Sequence, residues 1–408
     1  MKIKSIKQIR NLSGKNVLVR VDFNVPIKRG KVLDDTRLHA SLPTIQYLMK
    51  KKAKVILVTH IGRPEGKVVA SLKVDPVVKR LSELLKKKVL KLETGNWPSY
   101  AKASAGKKMR LKLLEDIDKM RPGQVAMMEN IRFSPDEKKD TGTLSQELAN
   151  LADLFVIDGF AVAHRPAASV SGVAKYIPSY AGLLLESEIK GLQKVLQKPK
   201  SPFVVVLGGA KMETKVPVIK KLLPLCDYML VGGGIFNTYL KAKGYGVGSS
   251  LVDMEFKKEA LNYGKKKKVI KPIDVVVGDM EGKNYRHVKL NKKPHQICKK
   301  GEFILDCGPE TIQLFAKYIK LAETIVWNGA LGVFEQKPYD IGTLSIARLV
   351  ASRSKGKAYG VIGGGETLQS MDMVGMTEYV DLVSTGGGAM LEFLSGKILP
   401  GIKAVNEK

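Results

Sequence analysis

Residues 203–215 read FVVVLGGAKMETK. Five apolar residues follow one another without alternation. Such a run is buried on both faces, as in an interior strand of a parallel sheet covered by helices. Two glycines close it. Lys211 and Lys215 then stand four apart at the expected start of a helix, where they share one face.

The same order recurs along all 408 residues: a short apolar run, a Gly or polar closure, then a helical segment. In the first half the runs are VLVRVDFN (17–24), KVILVTHIG (54–62), VAMMENIRF (125–133) and LFVIDGFAVAHR (154–165). In the second half they are FVVVLGGAK (203–211), YMLVGGG (228–234), IDVVVGD (273–279), TIVWNG (324–329), YGVIGGGE (359–366) and VDLVSTGGG (380–388). Between them LPTIQYLMKK (42–51), LSQELANLAD (144–153), TIQLFAKYIKLAE (311–323) and TLSIARLVAS (343–352) carry apolar residues at helical spacing. The expected fold is α/β, with two doubly wound parallel-sheet (Rossmann-like) domains joined by a hinge helix. LLLESEIKGLQKVLQ (183–197) reads as that helix and PKSP (199–202) closes it. This gives a first domain of 1–180, a helix of 181–198 and a second domain of 199–394. The tail, 395–408, is expected to return to the first domain.

No stretch approaches the ~18 consecutive apolar residues of a membrane span. The opening MKIKSIKQIR is charged and lacks the apolar segment of a signal peptide, so the expected location is the cytoplasm. Cys226, Cys298 and Cys307 are odd in number and have no CxxC spacing, which argues against a disulfide framework or a zinc site. His39, His60, His164, His287 and His295 show no HExxH pairing. The formal charge of +30 fits either a nucleic-acid partner or a lysine-rich surface around an enzyme of anionic substrates. Runs such as Lys86–Lys88 and Lys265–Lys268 end helical segments and are not interleaved with aromatics, which favours the second.

Lysine greatly outnumbers arginine, so arginine placement is informative. Arg20, Arg63, Arg132 and Arg165 fall within or just past apolar runs, and Arg37 follows Asp34 and Asp35 into a helix. Arginine at strand ends suits bidentate binding of phosphate or carboxylate. Each one alone could be a structural ion pair. Together with His60 and His164 they predict a basic pocket for a small polyanion. Asp22 and Asn24 read either as a local turn or as acceptors for ligand hydroxyls. The second half is rich in glycine instead. GGAKMETK, GGGIF, GGGETL and STGGGAM each lead toward a helix, offering backbone N–H groups to phosphate. There is no GxxxxGK[ST] and no clean GxGxxG, so neither a Walker loop nor a dinucleotide fingerprint is present.

RVDFNVP (20–26), THIGRP (59–64), ENIRF (129–133), DGFAVAHRPAAS (158–169), LGGAKMETK (207–215), VWNGALGVFE (326–335), GGGETL (363–368) and STGGGAMLEFLSGKILPG (384–401) together resemble the phosphoglycerate kinase family, in its order and over nearly the whole chain. LDDTRLHASLPTIQYL (33–48) resembles the archaeal branch. The resemblance implies reversible phosphoryl transfer from 1,3-bisphosphoglycerate to ADP, giving 3-phosphoglycerate and ATP, with Mg²⁺ and hinge closure. It places 3-phosphoglycerate on Asp22, Asn24, Arg37, His60, Arg63, Arg132 and Arg165, with Phe23, Ile61 and Gly62 in the same motifs. It places the nucleotide on Gly208, Lys211, Lys215, Asn328, Glu335, Gly363, Gly364, Gly365, Glu366 and Thr367. Arg37, Lys211 and Lys215 are the implied catalytic residues. Glu366 stands where the family commonly has Asp. Glutamate is a hard oxygen ligand one methylene longer, which suits contact with Mg²⁺ through water as well as direct contact. Ile157 and Val162 also depart from the family's pattern, with an expected effect on packing. The implied partners are the two acids and ADP or ATP, with no membrane, no nucleic acid, and a monomer or homodimer. A nicotinamide-dependent dehydrogenase and a nucleic-acid binder are the alternatives.

Overall fold

The computed structural model describes residues 2–92, 104–290 and 296–406; His295 and the last two residues of the tail lie outside these. The chain divides into two compact units, 1–189 with 398–408, and 190–397.

The first unit holds a six-stranded parallel sheet: β1 (Asn16–Arg20), β2 (Lys54–Val58), β3 (Val89–Leu92), β4 (Val125–Met128), β5 (Leu154–Ile157) and β6 (Ser179–Ala181). Its order is β3-β4-β2-β1-β5-β6. β4 and β5 are buried throughout, and β1 and β2 all but at their first residue, as expected of interior strands sheathed by helices. Val17, Val19, Val55 and Leu57 of the inner strands pack with Leu38, Ile45 and Leu48 of helix Thr36–Lys50. Each such side chain contributes about 1.5–3 kcal/mol by leaving water. The helix starts at Thr36 because Asp34 Oδ1 accepts from its N–H at 2.9 Å and its hydroxyl at 2.6 Å. That turn puts Arg37 on the first helical turn. Residues 398–408 cluster with this unit; Gly401 N–H donates to Ala163 O at 2.8 Å.

The second unit holds another six-stranded parallel sheet, from β7 (Phe203–Leu207), β8 (Tyr228–Val231), β9 (Val269–Ile270), β13 (Thr324–Asn328), β14 (Tyr359–Gly363) and β15 (Leu382–Ser384). Its order is β9-β8-β7-β13-β14-β15. Numbered within the sheet this is 3-2-1-4-5-6, the dinucleotide-fold order, with its switch point between β7 and β13. IDVVVGD departs from expectation. Asp274–Gly278 (β10) pairs antiparallel with Tyr285–Lys289 (β11) and Phe303–Cys307 (β12) in a separate three-stranded sheet. Its apolar run is explained by burial alone, which does not dictate strand direction. Helix Leu183–Gln197 carries the division between the units, after Ile189.

Candidate functional site

In the first unit, chain order reverses between β1 and β5. The loops leaving β1, β2, β4 and β5 gather at that end, where open α/β sheets bind ligands. Arg63, Arg132 and Arg165 line a cavity of about 660 Å³ there, together with Lys138 and part of Arg20. Arg132 Nη1 donates to Gly62 O at 2.8 Å, and Gly62 N–H donates to Asn24 Oδ1 at 2.8 Å. Arg37 donates to Asp22 Oδ2. Asp22 Oδ1 stands 3.9 Å from His60 Nδ1. Burial, then the charges of Arg20, Arg132, Arg165 and Arg37, push the His60 pKa far below its ordinary value. His60 is therefore a neutral imidazole. Burial, and then Arg165 and Arg20, lower Arg132 to about 10. These effects show how close the arginines stand to one another.

Two expected groups are used differently. Arg20 is 2% exposed, and its guanidinium is occupied within the protein. It donates to Ser169 Oγ at 2.8 Å, faces His60 Nδ1 at 3.2 Å and lies 4.0 Å from the buried Glu137. The structural ion-pair reading fits Arg20. His164 Nε2 accepts from Arg165 Nε at 3.1 Å. Phe23 and Ile61 are buried, with N–H groups donated to Thr59 Oγ1 (2.9 Å) and Asn130 Oδ1 (3.2 Å). They hold the loops in place and offer no side chain to a ligand. Sequence reading passed over Asn130, which also donates to Ile61 O and Leu72 O at 2.8 and 2.9 Å, tying the loops after β2 and β4 together. It passed over Glu137 too. SPDEKKD reads as a surface turn, and nothing in it signals a buried carboxylate.

In the second unit the residues gather at the switch point between β7 and β13. Lys215 is buried, and its ammonium donates to Asn328 Oδ1. Asn328 Nδ2 donates to Gly363 O at 2.6 Å, and Gly329 N–H to Thr367 Oγ1 at 2.7 Å. Glu366 lies in the first turn of helix Gly365–Met373 and accepts from Ala330 N–H at 3.3 Å. A Cβ placed on Gly209 would stand 3.5 Å from Glu366 Oε2 and 3.7 Å from Lys215 Cε, so both side chains border one turn. Burial lowers Lys215 to about 8, opposed by the charge of Glu366. Gly364 has φ +98°, which L side chains rarely adopt, and it starts the helix that presents Glu366 and Thr367. Gly208 lies against the neighbouring turn: a Cβ there would come within 2.0 Å of Ala330 O. Glu335 and Glu366 line a second cavity of about 370 Å³, whose apolar walls include Leu251, Met280, Phe303 and Phe334.

Lys211 and Lys215 do not share a helical face. Lys211 is the extended, exposed residue just before helix Met212–Leu222, while Lys215 lies inside its first turn. The GGGIF run is not an open phosphate loop either. The N–H groups of Gly232, Gly233 and Gly234 donate to Leu207, Leu331 and Gly209 carbonyls at 3.0, 3.2 and 2.9 Å. Those glycines serve close packing.

The phosphoglycerate kinase family model matches residues 6–397. The chain is 43% identical over 412 aligned residues to the phosphoglycerate kinase of Pelotomaculum thermopropionicum, covering 99% of each. It is 42% identical over 404 to that of Moorella thermoacetica, covering 97% and 98%. Among solved structures, phosphoglycerate kinase from Coxiella burnetii matches with TM-score 0.83 and 39% identity, over 99% of both chains. That from Pyrococcus horikoshii matches with TM-score 0.81 and 31% identity, over 99% and 98%. These curated relatives are bacterial, so the archaeal branch expected from residues 33–48 is not supported. The dehydrogenase and nucleic-acid readings find no support in these comparisons.

Proposed function

The chain belongs to the phosphoglycerate kinase family and is a kinase that transfers phosphate between 1,3-bisphosphoglycerate and ADP, and we propose that the two residue sets above divide this reaction between them. The observation that carries the proposal is their complementary chemistry. Arginines line a cavity in one unit, and a neutral histidine stands against one of them, Arg20. A buried lysine, a helix start and an apolar cavity meet in the other. The first set suits a small acid bearing phosphate, and the second suits a nucleotide.

The acceptor in the ATP-consuming direction is a carboxylate, already ionised at pH 7, so no general base is required. Transfer then depends on position and on neutralising the equatorial oxygens. Arg63, Arg132 and Arg165 hold the acid, with Asn24 and Gly62 shaping the loop around it. Asp22 holds Arg37 on its helical turn, and Arg37 faces the transferring group. Lys215 and Lys211 draw charge toward the nucleotide phosphates, and the start of helix Gly365–Met373 adds N–H donors. Glu335 takes the ribose side.

Mg²⁺ fits this donor set. Among the described residues no three His, Cys, Asp or Glu side chains form a metal cluster. One carboxylate, Glu366, with phosphate oxygens and water, is the arrangement Mg²⁺ favours. When bound, the ion would neutralise phosphate oxygens alongside Lys215. The acid-binding residues belong to one unit and the nucleotide-binding residues to the other. In-line transfer therefore requires closure about helix Leu183–Gln197, to be read as compaction in X-ray scattering only when both substrates are present. A cytoplasmic location accords with this chemistry, and no helix among the described residues is long and apolar enough to cross a membrane.

The test is ATP- and Mg²⁺-dependent formation of acyl phosphate from 3-phosphoglycerate, trapped with hydroxylamine, in the parent and in Arg37→Ala. Loss of about 10³-fold or more in kcat, with ADP affinity kept, is expected from removing a transition-state arginine. Unchanged kcat would remove Arg37 from that role.

A further inference from the structure

His60 has two ring nitrogens, and the structure treats them differently. Nδ1 faces Arg20 Nη2 at 3.2 Å. A guanidinium has only donors, so an Nδ1 this close must present its lone pair. Among the described residues the one carboxylate oxygen within 4.0 Å of Nδ1 is Asp22 Oδ1, at 3.9 Å, beyond hydrogen-bonding reach. Nε2 has no acceptor among the described residues, although the side chain is only 5% exposed. Arg20 itself is held from behind. Ser169 Oγ accepts from its Nε at 2.8 Å, and Glu137, 4.0 Å away, also accepts from the Ser169 hydroxyl at 2.5 Å.

Resting on the reading of His60 as a substrate contact, we propose that Arg20 is a positioning residue that fixes His60 as the Nε2–H tautomer, so that Nε2 donates to an oxygen of the bound acid. A neutral donor suits this place. The charges of Arg20, Arg37, Arg132 and Arg165 all act on His60, and a fifth positive charge among them would oppose them all. Glu137 and Ser169 keep the Arg20 fork aimed, and Arg20 acts through His60.

¹⁵N NMR of histidine-labelled parent protein reads the tautomer directly, with the His60 signal identified by its loss in His60→Gln. Nδ1 is expected in the unprotonated range and Nε2 in the protonated range, unchanged from pH 5.5 to pH 8. A protonated Nδ1, or an imidazolium that titrates in that interval, overturns the proposal without any Arg20 variant. Arg20→Lys, still a pure donor, is expected to keep the tautomer and most of kcat/KM. Arg20→Gln, which can accept from Nδ1–H, is expected to mix the tautomers and raise KM for 3-phosphoglycerate about tenfold, with kcat and ADP affinity little changed. Equal losses in both variants with the tautomer intact would make Arg20 merely structural. Should His60→Gln leave KM for 3-phosphoglycerate unchanged, the substrate-contact reading fails, while the tautomer measurement still judges Arg20.

Discussion

Binding of ADP should draw a proton from solution onto Lys215. The ammonium is buried in the first turn of helix Met212–Leu222, and burial lowers its pKa to about 8, with Glu366 opposing. In the empty protein Lys215 is therefore about half neutral at pH 8 and about nine-tenths neutral at pH 9. A nucleotide phosphate beside it favours the charged form and returns the pKa toward its ordinary value of about 10.4. Uptake on binding is then about 0.1 proton at pH 7, about 0.5 at pH 8 and about 0.9 at pH 9. The nucleotide cannot be the source of this trend, because phosphate's last ionisation, near pH ~6, is complete by pH 8. Calorimetric titration with ADP in two buffers of different ionisation enthalpy gives the proton count at each pH. Above pH 8, ADP affinity should fall by up to about tenfold per unit, the same linkage seen as binding. Lys215→Met should abolish the uptake and leave only the weaker affinity. A count below about 0.2 at both pH 8 and pH 9, or the same count in the variant, would refute the reasoning.

Gly208→Ala should cost about 1–3 kcal/mol in urea unfolding, since its Cβ would meet Ala330 O at 2.0 Å, whereas Gly365→Ala, with nothing within 4 Å, should shift it by less than about 0.5; equal costs would show the close approach to be yielding. Asp158 is raised to about 6 by burial, against donors on Thr44, Ser41 and Leu184. Its folded pKa lies above the unfolded value, so the ionised form is penalised in the fold above pH 6, and the penalty disappears as pH falls below about 4. The stability of Asp158→Asn relative to the parent should therefore drop by about 2 kcal/mol from pH 7 to pH 4, and a pH-independent difference would count against it. Glu366→Gln should raise the Mg²⁺ concentration for half-maximal rate by about tenfold while keeping most of the rate at saturating metal; an unchanged half-saturation would take Glu366 out of metal binding.

The inner strands were legible because burial on both faces removes polar residues. FVVVL, LFVI and VAMM could hardly be anything else in a chain of this length. Edge strands were legible only in part: VDLVS marks Leu382–Ser384, but others leave no pattern. Val89–Leu92 is half covered and carries a lysine, and Val269–Ile270 is two residues long, so neither has enough pattern to read. Direction failed in IDVVVGD for a related reason: a buried strand looks alike whether its neighbour runs parallel or antiparallel. Glycine runs had the same ambiguity. Gly232–Gly234 and Gly363–Gly365 read identically and each opens a helix, yet the first run's N–H groups are all taken by carbonyls.

Arginine type told what chemistry was gathered at the strand ends, but not which guanidinium would be consumed in holding the others. That distinction depends on Glu137 and Ser169, far along the chain from Arg20. It also follows from electrostatics. Several cations confined near one cavity repel each other, and burial makes each costlier to keep charged, as the lowered pKa values of Arg20 and Arg132 record. Such a cluster folds only with carboxylates inside it, here Asp22 and Glu137, and with its histidine neutral. Lys215 beside Glu366 repeats the arrangement in the other unit with one cation and one carboxylate. The arginine set holds more cations than carboxylates and reaches neutral balance only with an anion. The free energy withheld while that site is empty is therefore available to bound phosphate, and it accelerates transfer to the extent that the cations meet the migrating group better than either ground state.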